Sequence, residues 1–136
     1  MTEGWHNENY YILFDGAEES SRMTEMYDLK QFLPDFTIIG LLGWDDFILR
    51  DKNSRHFSIP TVPLDFKYAK PYQFADVRAS LQPDARLSKK IKWHVKPIVF
   101  GGDAIAKENT IWIPIERHAE LVRWWNIQYR SINPKS

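Results

Sequence analysis

The sequence predicts an α+β fold: an antiparallel β-sheet meander with helices packed on one face and a long C-terminal helix. Three observations predict it. Residues 32–65 read as short apolar runs separated by tight polar turns, as in a three-stranded meander. Residues 91–99 alternate apolar and basic side chains, the period of a strand with two unlike faces. Residues 115–132 place Ile115, His118, Ala119, Leu121, Val122, Trp125, Tyr129 and Ile132 on one broad helical face. Strands followed by a closing helix imply helices gathered on one side of an antiparallel sheet.

Taken in order, His6 is read as lying in a frayed terminus, and the apolar run at 10–14 as a first strand ended by Gly16. Residues 17–27 begin with acids and space Met23, Met26 and Tyr27 as on a short helix. Residues 28–34 read as a turn closed by Pro34. The nearly continuous apolar run at 36–42 fits a central strand, Gly43-Trp44-Asp45-Asp46 a turn, and residues 47–50 the returning strand. Residues 51–54 form a polar hairpin tip before a third strand at 55–59. Pro60 and Pro63 cannot donate ladder hydrogen bonds, so pairing stops or reaches an edge there. Residues 67–85 read as mostly loop, with one short helix around 74–81. The strand at 91–99 carries Pro97, which places it on an edge. Gly101-Gly102-Asp103 breaks the chain, residues 110–113 form another strand, and Pro114 leads into the final helix. Trp124 and Ile127 fall outside its apolar arc.

At 136 residues, 43% of them hydrophobic and 15% aromatic, the chain is expected to form one domain over residues 1–136. It has no cysteine, which removes disulfides and thiolate metal sites. It shows neither a signal-peptide pattern nor an apolar stretch long enough for a membrane span, so a cytoplasmic location is expected. Net charge is zero but uneven. Residues 1–46 hold ten acids against Arg22 and Lys30, and residues 47–100 hold eleven Lys and Arg against four Asp. The two halves are expected to attract one another within one fold; the alternative is a polarised surface that steers a charged partner.

The order FLP, TIIG, Gly-Trp-Asp-Asp, FILRD, FSIPTVPLD, closed by KPIVFGGDAIAKENTIWIPIERHAELVRWWNIQYRSI, resembles the Smi/Knr-like group of the SUKH superfamily over roughly residues 10–132. The chain departs from the family in one respect: members often carry a glycine cluster between the two central strands, and only Gly40 and Gly43 stand there. The resemblance implies an α+β fold and a non-enzymatic, protein-binding role. Bacterial members are thought to be immunity proteins that bind and neutralise toxins, often nucleases. The expected partner is therefore a protein, a candidate toxin.

No cofactor or metal site is expected: the four histidines form no HExxH or other close pair, and the acids lack EF-hand spacing. A small hydrolase-like enzyme would need His94 or His118 paired with Asp103, with no nucleophile motif to complete it. A nucleic-acid module would use the face carrying Lys90, Lys92, His94 and Lys96, but the alternation turns Trp93 away from those lysines, and this and the overall neutrality weigh against it. Partner binding is assigned to Trp44, Asp45 and Asp46 in the turn and to Trp124 on the last helix. Indoles outside a core mark interface hot spots, and acids steer basic partners.

Overall fold

The computed structural model describes residues 1–103 and 105–132. Its strands are β1 (Thr2–His6), β2 (Asn9–Leu13), β3 (Thr37–Leu42), β4 (Asp46–Arg50), β5 (His56–Pro60), β6 (Lys70–Pro71), β7 (Ile91–His94) and β8 (Thr110–Ile113), with helices α1 (Gly16–Met26), α2 (Leu29–Phe32) and α3 (Ile115–Ile132). Strands β1 to β6 form one antiparallel sheet in chain order, and β7 pairs with β8 in a second, two-stranded sheet. The fold is α+β, as the sequence predicts.

The sheet separates two unequal apolar layers. Along β2, Tyr10 and Ile12 face one side and Tyr11 and Leu13 the other, because successive strand side chains point oppositely. The first side holds the larger core, where Phe47, Leu49 and Ile59 of the sheet meet Met23 of α1, Leu29 and Phe32 of α2, Ile91 and Trp93 of β7, and Ala119 and Val122 of α3. The second side is covered by the irregular 72–81 segment, through Tyr72, Phe74, Val77 and Leu81.

Strand β3 carries a β-bulge. Ile38 pairs with Leu49 and Gly40 with Ile48, so Ile39 is the extra residue. The bulge lets Ile38 and Leu41 share the helix-covered side while Ile39 and Leu42 lie on the other. Only glycine fits at position 40, since a Cβ there would sit 2.6 Å from the Ile12 carbonyl oxygen.

Several expectations need correction. The N-terminus is not frayed: β1 pairs with β2 along its length, and Trp5 exchanges backbone hydrogen bonds with Gln82 on its other side. The 28–34 turn contains the single helical turn α2, and the helix expected around 74–81 is only a 3₁₀ turn at Arg78–Ser80. The strand expected at 91–99 ends at His94. Pro97 breaks the ladder, and Ile98–Phe100 turns back as 3₁₀.

α3 is the clamp of the fold. Asn126, fully buried, accepts from the Leu64 amide at 2.7 Å and donates to the carbonyls of Thr61 (2.8 Å) and Val122 (2.9 Å). Tyr129 donates to Asp65, and Arg130 to the carbonyls of Phe32 and Leu64. The segment leaving β5 is thereby tied to the helix through polar groups that packing alone would leave unpaired.

The candidate cleft at the β3–β4 turn

The turn between β3 and β4 places Gly43 and Trp44 in succession at φ 63 and 62. Glycine takes this left-handed conformation freely, whereas a tryptophan there costs about 1 kcal/mol. The strain is held in place by packing: the Trp44 ring stacks on Tyr10 at 4.9 Å and meets Trp112 at 5.2 Å and Trp5 at 5.9 Å edge-on. Backbone bonds complete the hold, from the Asp45 amide to the Gly43 carbonyl and from the Thr61 amide to the Asp45 carbonyl.

A cleft of about 370 Å³ opens beside this turn. One side is Trp44, Asp45 and Asp46. A second is Pro60–Pro63 with Tyr68, the segment that Asn126 pins from beneath. The third is Trp93 and His94 of β7 followed by Pro97, Ile98 and Val99. Ile98 and Val99 are 56% and 42% exposed, an apolar rim.

The cleft's charged groups are sparsely matched. His94 Nε2 lies 3.7 Å from Asp45 Oδ1. Asp46 has no ion-pair or hydrogen-bond partner for its carboxylate among the described residues. Burial raises the Asp45 pKa, against the pull of His94 and Lys92. The Asp45 side chain nonetheless stays largely open to solvent, which limits that effect. Burial also raises Asp46, and the neighbouring Asp45 charge raises it further. The indole nitrogen of Trp44 and Nδ1 of His94 are buried with no hydrogen-bond partner among the described residues.

Three of the four residues assigned to partner binding thus stand together at one cleft. The fourth does not line it. Trp124 is 52% exposed on α3 and lies edge-on to Trp125, whose ring meets Phe100 at 4.8 Å. It is therefore Trp125, and not Trp124, that covers the loop after β7. Because Phe100 directly follows Ile98 and Val99, this aromatic group adjoins the cleft rim through the chain.

The other two readings are redrawn by the geometry. His118 is fully buried, 2.6 Å from the Tyr27 hydroxyl, and burial pushes its pKa down to about 3. Asp103 is occupied by the Ile105 amide. Among the described residues the His–Asp contact within 4 Å is His94 with Asp45. Trp93 faces the core, as the alternation predicts, but Trp112 lies opposite Lys92 in the β7–β8 register and is 42% exposed. The lysine face thus has an aromatic neighbour that the sequence reading missed. Missed too were Tyr68 and the Pro97–Val99 wall; the available signal was Pro97, which forbids a continuous strand to residue 99.

Among the described residues no helix is long and apolar enough to cross a membrane, and no group of three or more His, Cys, Asp or Glu side chains is placed to hold a metal ion. No family model, curated protein or solved structure matches the chain.

Proposed function

We propose that this chain is a non-enzymatic protein-binding domain that neutralises a toxin by covering its active surface, the role that the resemblance to the Smi/Knr-like group implies. One observation carries the reading. A strained turn delivers Trp44, Asp45 and Asp46 to a preformed cleft whose rim, Ile98 and Val99, is apolar and exposed. A rigid aromatic anchor, incompletely matched carboxylates and an apolar rim are the ingredients of a protein-binding hot spot, and strain held in place by surrounding packing recurs at binding sites.

The test is co-expression with the product of the adjacent upstream gene, reading growth and co-purification. Rescue of growth with a stable complex is expected, and Ile98→Glu with Val99→Glu, both on the surface, should abolish both. Absence of toxicity and of a complex, or a complex indifferent to those substitutions, would sink the reading.

A second reading rests on Trp112 beside Lys92: a single-strand nucleic-acid surface using the Lys90 to Lys96 face. It requires oligonucleotide binding that weakens steeply with salt and is lost in Lys90→Gln with Lys92→Gln. Binding that ignores salt would remove it.

A further inference from the structure

The cleft is apolar along most of its wall, and its acidic residues stand together at the turn. Pro60, Val62, Pro63 and Pro97 offer no charge, while Asp45 and Asp46 are close enough for the first to raise the pKa of the second. The chain's own cations answer this charge incompletely. Lys92 and Lys70 act on Asp45 and Asp46 only from a distance, and among the described residues no Lys or Arg nitrogen lies within 4 Å of either carboxylate; the near neighbour is the His94 ring.

We propose that the cleft receives an arginine side chain of the partner, its guanidinium set against Asp45 and Asp46 and its aliphatic stem against the proline-rich wall. This rests on the docking reading above and names what that site recognises. Charge complementarity selects a cation. The walls select which one: Trp44 and the exposed Tyr68 line the same cleft. A guanidinium is planar, weakly hydrated and stacks on aromatic faces, whereas an ammonium is compact and strongly hydrated. Asp46, half-buried against that apolar wall, loses less hydration than a free surface carboxylate on meeting a guanidinium.

The experiment titrates the full isotope-labelled chain with acetyl-Gly-Arg-Gly-amide and reads the indole resonances of Trp44 and Trp93. The same peptide with citrulline, the neutral isostere, and with lysine are the comparisons. Saturable shifts are expected for arginine in the millimolar range, about tenfold weaker binding for citrulline and an intermediate value for lysine. Asp45→Asn with Asp46→Asn should bring arginine down to the citrulline value while the thermal midpoint is kept. No saturable shift at about 50 mM peptide, far above the affinity expected of a single anchor, overturns the proposal. So does equal binding of arginine and citrulline, or arginine binding unchanged in the double variant. Failure of arginine recognition is separable from failure of docking. A partner complex that survives loss of both carboxylates but not the Ile98 and Val99 substitutions removes the arginine and keeps the interface; a complex that survives both removes the interface.

Discussion

The inner face of α3 and the cleft at the β3–β4 turn handle polar groups in opposite ways. On α3, the buried Asn126 amide has a partner for its oxygen and for both protons, and Tyr129 is bonded to Asp65. At the turn, Asp46 has no partner among the described residues and Asp45 only a distant one. The contrast separates what holds the protein together from what it has free to offer. A matched polar group is spent on the fold, and an unmatched one in a concave, aromatic setting retains its capacity for a ligand. The two regions are joined through residues 61–65, which α3 grips from one side and which wall the cleft on the other.

The largest expected effect comes from breaking the matched side. Asn126→Ala strands the Leu64 amide and the Thr61 carbonyl in a dry interior and should cost about 3 kcal/mol of stability, read by denaturant unfolding. A loss below about 1 kcal/mol would show that the clamp is not what fixes the cleft wall.

Trp44→Ala tests a residue that both packs against the core and lines the cleft. It removes the ring packed among Tyr10, Trp5 and Trp112 but relieves the left-handed strain only slightly, so a loss of about 2 kcal/mol is expected. Thermal melts that match the parent chain would mean that the ring serves the surface alone.

Next in size is a pH effect centred on His118. Below pH 6.5 the unfolded chain takes up a proton that the buried histidine refuses until about pH 3. Stability therefore falls as pH is lowered, by about 1.5 kcal/mol between pH 6.5 and pH 5. Asp45 and Asp46 have the opposite sign, since raised carboxylates are protonated more readily in the folded state. Unfolding midpoints between about pH 5 and 6.5, above most carboxylates, isolate the histidine. His118→Gln should flatten the slope, and a slope unchanged in that variant would assign the proton elsewhere.

The smallest stability effect is expected at the unmatched side. Asp45→Asn with Asp46→Asn should leave unfolding free energy within about 0.5 kcal/mol of the parent chain while removing partner binding. A large destabilisation would place these acids with α3, among groups spent on the fold.

The same contrast explains what the sequence discloses. α3 and β8 are legible at their bounds, because periodicity, alternation and Pro114 act locally and agree. The turn side of the cleft is legible for the same reason: Gly43 and two acids between apolar runs announce a hairpin. β1 is not legible, since Glu3, Gly4 and His6 break its pattern and its pairing is supplied by β2 and Gln82. The far cleft wall is lost to an apparent alternation that continues past the point where Pro97 ends the ladder. Asn126 reads as an ordinary polar residue at the edge of an apolar arc; only the tertiary position of Leu64 and Thr61 gives it partners.

The bulge at Ile39 bears on how the turn is aimed. A strand that paired every residue from Ile38 onward would send Leu41 to the wrong side and turn Trp44 over with it. By looping out one position, β3 behaves as an expansion joint. Deleting Ile39 closes the joint and leaves the direction of the turn unchanged, whereas adding or removing one residue between Gly40 and Trp44 reverses the side that the turn addresses. The aim of this surface is therefore set by counting, and a single-codon deletion a few residues away can do what no substitution along the strand can.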